Sequence, residues 1–462
     1  MCLLNKTTFL ALGLLFVLTA CGGGGGSSGG GSSNNVAGCV NPTPVNLGIT
    51  ANFSINDTTS YQGQKSNFRL NRRYGFEDHQ SDSAVGMALG ISAFHAIAYG
   101  DFDDDGDIDF FQSGIANPTS DHPHFYRQDI TGEFILEDSF IIGGAGMVHP
   151  RKAIVADFDK NDIPDVVVFN TGLDKPPFPG GLSTLFLSDG NNLIASDQLD
   201  NYLGYFHSGT AGDIDNDGDV DILMGDANGF YFLINDGNAK FSKADNRINC
   251  AVSRGYFTSE LIDVDRDGYL DLIVAGDEYS EDGVSNVETA YIMYGSSTGY
   301  YSNPTSLPGK TGFGVILDAD AEDINGDNIT DIVLLRTGDI DTAIYEGFYI
   351  QLLVGLGDGN FTDQSNMIEK RTSWVYSDKG LVSEQLLNIP VEMVATTITN
   401  NAGGPDAWID FIRMQDVNSD NLIDIIEDQD GRNLTWINNG DGSFNAQFNF
   451  VNENNPSYTS YD

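Results

Sequence analysis

The hydrophobic positions of this chain fall in short runs that stop or start at an aspartate. Ala96-Ile97-Ala98-Tyr99 and Ala153-Ile154-Val155-Ala156 each lead into an acidic stretch. Val166-Val167-Val168-Phe169, Ile222-Leu223-Met224, Leu272-Ile273-Val274-Ala275 and Ile332-Val333-Leu334-Leu335 each follow one. The runs are rich in β-branched residues, too short for ordinary helices, and bounded by Gly and Asp, so they predict strands.

The polar stretches between them are six copies of one nine-residue loop. Positions 1, 3, 5, 7 and 9 are Asp101, Asp103, Asp105, Asp107 and Asp109 in the first copy, and Asp157, Asp159, Asn161, Ile163 and Asp165 in the second. The third has Asp213, Asp215, Asp217, Asp219 and Asp221, and the fourth Asp263, Asp265, Asp267, Tyr269 and Asp271. The fifth has Asp323, Asn325, Asp327, Ile329 and Asp331, and the sixth Asp416, Asn418, Asp420, Leu422 and Asp424. Hard oxygen ligands at 1, 3, 5 and 9, with the backbone carbonyl at 7, suit calcium. One copy is an ordinary turn; six in register point to about six ions. An EF-hand needs a Glu at position 12 between two helices. Position 12 is Gln112, Val168, Met224, Val274, Leu334 and Glu427, so five of the six lack it. Each loop is expected to join two strands.

Downstream of each loop comes a Gly-containing hairpin signal, often with an aromatic residue: Gly132 with Phe134, Asp189-Gly190, Asp236-Gly237 with Phe241, Gly299-Tyr300, Asp358-Gly359 with Phe361, and Asp441-Gly442 with Phe444. Asp-Gly between strands favours a hairpin because Gly accepts positive φ. One unit then reads strand, acidic loop, strand, connection, strand, hairpin, strand. Four strands repeated every ~40–50 residues are the pattern of a β-propeller blade. The loops recur every 50–60 residues, except for a gap of 93 before the last. That gap holds an insertion over 371–405, or a blade without its loop.

These residues resemble the FG-GAP/VCBS repeat family, best known from integrin α-subunit propellers. The resemblance covers 92–450, is specific in the acidic loop, and keeps only a fragment of the family's signature, Phe313-Gly314. It implies an all-β propeller of seven four-stranded blades, of which six have recognisable loops. Segment 36–91 has the length for a degenerate seventh blade or a strand that closes the ring, and six versus seven stays open.

Composition adds a partner constraint. The chain has 67 acidic and 22 basic residues, a net charge of −45. Six calcium ions would neutralise about twelve of those charges. The remainder is a solvated acidic surface that repels nucleic acid and anionic lipid headgroups.

The N-terminus predicts an address. Lys6 precedes the apolar run 9–18, which is too short to span a bilayer and suits a secretory signal. The run ends in Leu18-Thr19-Ala20-Cys21, which resembles a bacterial lipobox. The resemblance implies cleavage after residue 20, lipidation of Cys21 and, with Gly22 next, an outer-membrane lipoprotein. The expected segments are a signal peptide over 1–20, a lipidated Cys with a flexible Gly/Ser tether over 21–35, an N-terminal segment over 36–91, the repeat region over 92–450 and a tail over 451–462. Gly25 to Gly29 spells a G-x-S-x-G, but a Gly/Ser tether has neither the strand nor the helix of a nucleophile elbow. An oxidising envelope permits a disulfide between Cys39 and Cys250, and the sequence leaves pairing or two free thiols equally open.

No H-E-x-x-H, P-loop or dinucleotide fingerprint is present. His95 and His207 each lie six residues before a loop, Arg151 shares that offset, and His149 lies eight before. At period two these side chains share one side, at the strand end opposite the loops. They form either a ligand or metal site at a central mouth, or the polar lining of a wet channel. His122 and His124 lie in a Pro-rich connection of the same face. The connections 117–126, 174–178 and 278–287 offer aromatic and Pro-rich surface there. Three functions follow. The first is binding or adhesion to a glycan, matrix or protein partner, with calcium structural and no catalytic residue. The second is a lyase-like enzyme acting on acidic polysaccharide, which needs a base and a cationic cluster such as Arg151, Lys152 and Lys175. The third is a non-catalytic envelope scaffold. The scarcity of basic residues favours the first.

Overall fold

The computed structural model describes residues 62–65, 96–107, 109–114, 122–128, 134–173, 177–226, 229–248, 256–276, 290–310, 314–337, 349–357, 359–365, 375–377, 380–383, 412–416, 418, 420–427 and 434–448. These residues are all-β, with a single turn of 3-10 helix at Asp138–Phe140. The predicted leader, tether and tail, together with Cys21, Cys39, Cys250 and His95, lie outside the described residues.

Six antiparallel meanders of four strands follow one another. Sheet I is Ile97–Gly100, Asp109–Gln112, His124–Gln128 and Phe134–Leu136. Sheet II is Pro150–Ala156, Asp165–Asn170, Thr184–Ser188 and Leu193–Ser196. Sheet III is Phe206–Gly212, Asp221–Asp226, Gly229–Asn235 and Phe241–Ala244. Sheet IV is Tyr256–Ile262, Asp271–Gly276, Tyr291–Met293 and Thr305–Ser306. Sheet V is Val315–Glu322, Asp331–Thr337, Tyr349–Gly355 and Phe361–Asp363. Sheet VI is Ile412–Gln415, Asp424–Glu427, Leu434–Asn438 and Phe444–Phe448. In every sheet the acidic loop joins the first strand to the second, as the sequence predicts.

The second strands are uninterrupted hydrophobic runs because both of their faces are covered. Successive side chains of a strand point to opposite faces. Val166 and Val168 therefore pack with Phe102, Phe111 and Phe125 of sheet I. Their neighbours Val167 and Phe169 pack with Phe206, Ile222 and Met224 of sheet III. The pattern then repeats. Leu223 joins Leu272 and Val274 in one core, while Ile273 and Ala275 join Ile332 and Leu334 in the next. Sheets I to V are thus stacked face to face in chain order. Each side chain sealed between sheets contributes roughly 1.5–3 kcal/mol.

First strands of consecutive sheets lie against each other, from sheet I through to sheet VI. At the last junction the backbone amides of Ile412 and Met414 donate to the carboxylates of Asp318 and Asp320, both at 2.9 Å. The stretch 36–91 is described only as the strand Gln62–Lys65, which pairs antiparallel with Pro150–Ala156 and lies against the first strands of sheets III and IV. It satisfies backbone groups that the first-strand edge of sheet II would otherwise leave unpaired.

Two sequence expectations shift. In sheet IV the fourth strand begins at Thr305, so Gly299-Tyr300 lies inside a longer connection rather than at its hairpin. Tyr301 there bridges to Ile248, and its ring stacks on Phe232 at 5.6 Å. Within 371–405 the described residues form a two-stranded hairpin, Val375–Ser377 with Gly380–Ser383.

Candidate metal centres

Each loop is folded by its own carboxylates. The position-1 Asp accepts the backbone N–H groups of positions 5 and 6: Asp101 takes those of Asp105 and Gly106, both at 3.0 Å. Asp157, Asp213, Asp263, Asp323 and Asp416 repeat the arrangement. The position-5 side chain accepts the position-7 N–H, as in Asp217 with Asp219 and Asn161 with Ile163. Two tight turns in nine residues require left-handed backbone. Position 4 adopts it at Asp104, Lys160, Asn216 and Arg266 (φ 55–61°), and position 6 at Asp162, Asn328 and Asn421 (φ 67–68°). Asn and Asp tolerate this region, and Gly106, Gly218 and Gly268 adopt it without a Cβ clash.

The position-9 aspartate has a different task. Asp109, Asp165, Asp221, Asp271, Asp331 and Asp424 are all buried. In the first five, one oxygen accepts the position-2 N–H, as from Phe158 to Asp165 at 2.8 Å. In all six, one oxygen accepts an N–H at the end of the third strand (Gln128, Ser188, Asn235, Gly355 or Asn438) or, in sheet IV, two residues beyond it (Gly295). This carboxylate therefore ties three parts of its sheet together.

In four loops the carboxylates at 1, 3 and 9 converge, with one oxygen from each lying within 4.8 Å of the others. The triads are Asp101, Asp103 and Asp109; Asp157, Asp159 and Asp165; Asp213, Asp215 and Asp221; and Asp263, Asp265 and Asp271. Loops five and six place the amides Asn325 and Asn418 at position 3 instead. Burial, reinforced by neighbouring aspartates, pushes Asp101 up to about 7 and Asp103 to about 6. Burial likewise raises Asp221 to about 8, Asp271 to about 7 and Asp331 to about 6. Asp159 Oδ1 and Asp215 Oδ1 are buried with no hydrogen-bond partner among the described residues. A crowd of buried oxygens with too few donors fits a hard divalent cation, which would take these oxygens and the flanking position-5 and position-7 groups. Basic side chains already attend three of the loops, the fifth through Arg266 and Asp323 at 4.0 Å. Arg127 pairs with Asp103 and with Glu137 (2.8 Å), and Arg247 donates to Asp215 Oδ2 at 2.9 Å.

The loops are also joined to one another, which the sequence reading missed. Position 4 reaches the next loop: Lys160 pairs with Asp219, Asn216 Nδ2 donates to Gly268 O at 3.1 Å, and Arg266 donates to Asn328 O at 3.1 Å. The residue before the hairpin reaches back to the previous loop. Ser188 Oγ donates to Phe102 O, Asn235 Nδ2 to Phe158 O at 2.8 Å, and Asn438 Nδ2 to Ile324 O at 2.8 Å. A recurring Ser or Asn just before the turn, at 188, 235 and 438, was the available signal.

At the far end of the first strands, His149 and Arg151 lie close enough to His207 to act on its charge, so these three expected residues are brought together. Others are committed elsewhere. His124 bonds Asp138 at 2.9 Å, and Lys152 is buried against Glu260 at 2.7 Å, so Lys152 does not join a cationic cluster for a uronate. His122 is exposed, and Lys175 lies outside the described residues.

Among solved structures, the chain is similar to an Agrocybe aegerita lectin described as recognising non-reducing terminal N-acetylglucosamine. The identity is 14%, with 84% of this chain and 89% of that one covered at a TM-score of 0.45. It is also similar to the V. cholerae biofilm matrix protein Bap1 (16% identity, 49% and 44% covered, TM-score 0.29). A third is the rhamnogalacturonan lyase YesW (13% identity, 72% and 58% covered, TM-score 0.33). No curated protein sequence matches the chain. Residues 213–274, from the third acidic loop to the second strand of sheet IV, match the FG-GAP-like repeat family.

Proposed function

We propose that this protein is a calcium-binding β-propeller, with sheets I to VI as blades, that binds a glycan, matrix or protein partner through the face opposite its acidic loops. The observation that carries the reading is the recurrence of convergent carboxylates at the same place in successive sheets, with buried oxygens on Asp159 and Asp215 that no donor among the described residues satisfies. Calcium is structural in this account, one ion per loop and about six in all. The loops form one connected rim, so ions there brace the sheets against each other and leave the other face for recognition. The propeller reading is supported by Lys152 and Glu260, whose ion pair joins the first strands of sheets II and IV past sheet III. Such a chord suits strands arranged around a common axis.

We place the protein in the bacterial envelope as an outer-membrane lipoprotein held by Cys21 and the Gly/Ser tether, on the strength of the apolar run and Leu18-Thr19-Ala20-Cys21. The deciding experiment is a screen of the folded chain against glycans, matrix polymers and envelope extracts, with calcium and again with chelator. Calcium-dependent retention supports the reading. A folded, calcium-loaded chain retained by none of them refutes the binding role.

A further inference from the structure

Position 3 of the fifth loop is Asn325, and Gly326 follows it. An asparagine before a glycine is where a chain can react with itself. The glycine nitrogen adds to the side-chain amide carbon, and no Cβ stands in the way. The chain has three such pairs. Asn228 lies outside the described residues, which leaves Asn325-Gly326 and Asn439-Gly440 to compare.

Loop five holds the parts of this reaction together. Asn325 and Gly326 are exposed, and a Cβ at Gly326 would meet nothing within 4 Å, so water reaches the pair. The Gly326 N–H, whose proton must leave, donates to Asp323 Oδ1 at 2.7 Å, which puts a carboxylate where a base is needed. The Asp327 N–H donates to Asn325 Oδ1 at 2.9 Å. That bond polarises the amide carbonyl and supports the negative charge that attack places on the oxygen. The ring it closes also contains Asn325 Cγ and Gly326 N, so electrophile and nucleophile share one tight turn.

The other pair is held apart. Asn439 and Gly440 are exposed too, so exposure does not separate the two. Asn439 Nδ2 donates to Ser443 Oγ and its Oδ1 accepts from Asn445 Nδ2, both at 2.9 Å, which draws the amide across the hairpin. The Gly440 N–H faces a neutral amide oxygen, Asn438 Oδ1, at 3.0 Å.

We propose that Asn325 is a self-modification site, at which loss of the side-chain amide completes the carboxylate set of loop five. Gly326 N bonds to Asn325 Cγ, and the Cγ–Nδ2 bond breaks. The nitrogen leaves as ammonia, taking the proton that Asp323 accepted from Gly326. Water then opens the five-membered imide. Cleavage of the bond from Gly326 N to Cγ restores the main chain and leaves a carboxylate at position 3, as in the four loops with full triads. Cleavage on the main-chain side routes the backbone through Cγ, and the added methylene breaks the nine-residue spacing. The imide chemistry stands on the loop geometry alone; its effect on the ion rests on the calcium reading above.

The test is peptide mapping by mass spectrometry of the folded full chain, aged at neutral pH, beside the same chain aged in denaturant. In the folded chain Asn325 is expected to convert about tenfold faster than Asn439. In denaturant the two are expected to convert alike, because only the shared Asn-Gly sequence remains. Gly326→Lys copies Lys160, which holds this position in loop two at φ 61°, so the loop is expected to fold and the conversion to slow by about tenfold. Asn325→Asp, the uniform form of the first product, is expected to bind its weakest calcium about tenfold more tightly than the parent. Equal rates at Asn325 and Asn439 in the folded chain, or a rate unmoved by Gly326→Lys, overturns the site. An Asn325→Asp chain that binds calcium no more tightly than a calcium-binding parent overturns the completed carboxylate set. If calcium binds and Asn325 is inert, the site falls and the calcium reading stands. If Asn325 converts and neither chain binds calcium, the calcium reading falls and the modification stands.

Discussion

Lys152 Nζ donates to Glu260 Oε1 at 2.7 Å, although the two residues sit on sheets II and IV with sheet III between them in the stack. Both side chains are buried, and the pair continues through Thr258 to Asp318, whose other oxygen takes the Ile412 amide. One polar chain thus touches sheets II, IV, V and VI. Removing one end leaves a buried charge, so Lys152→Met is expected to cost about 3–5 kcal/mol, whereas Lys152→Met with Glu260→Leu is expected to be close to neutral. Denaturant unfolding of the two variants checks this, and equal losses in both would contradict it.

The two ends of an acidic loop separate by function. Asp165 accepts backbone amides from Phe158 and Ser188 through different oxygens, so Asp165→Asn loses one buried acceptor whether or not metal is bound. A loss of ~1–3 kcal/mol is expected even in chelator. Asp157 sits at the rim, and its amide contacts are exposed. Asp157→Asn is expected to weaken calcium binding while leaving the melting temperature in chelator within a degree or two of the parent.

Asn235 latches sheet III to the loop of sheet II. Its Nδ2 donates to Phe158 O at 2.8 Å and to Val220 O at 3.0 Å. Asn235→Ala strands two carbonyls and is expected to cost about 1–3 kcal/mol. Hydrogen exchange is the readout: loop 157–165 is expected to lose protection more than sheet VI does.

The crowded carboxylates set the pH response. Asp101, Asp221 and Asp271 are raised from an ordinary 3.8 to about 7, 8 and 7. A raised carboxyl stabilises the metal-free fold most below its unfolded pKa, and that contribution is lost as pH rises through the folded value. The metal-free protein is therefore expected to lose stability between about pH 4 and pH 8. Calcium displaces those protons, so its affinity is expected to rise across the same window. Melting curves across this range, with calcium and with chelator, are expected to slope in opposite directions.

Local chemistry was legible in the sequence; contacts between sheets were not. The acidic loops could be read because their carboxylates act within nine residues, and the strands because their hydrophobic runs are contiguous. The shared offset of Arg151 and His207 was legible, but the register shift at each of them against the second strand was not. The Lys152–Glu260 pair spans 108 residues, so no local spacing announces it. Asn content alone groups the second loop with the fifth and sixth, yet the second keeps a full triad, because its Asn161 sits at position 5 and bonds Ser188 O. The fifth and sixth are the expected weak sites.

The most direct measurement is calcium stoichiometry by equilibrium dialysis, paired with melting of the same sample before and after chelation. The account predicts about six bound ions and a large fall in melting temperature when they are removed, because the ions bind the folded state. No bound calcium, and a melting temperature unmoved by chelator, would contradict it.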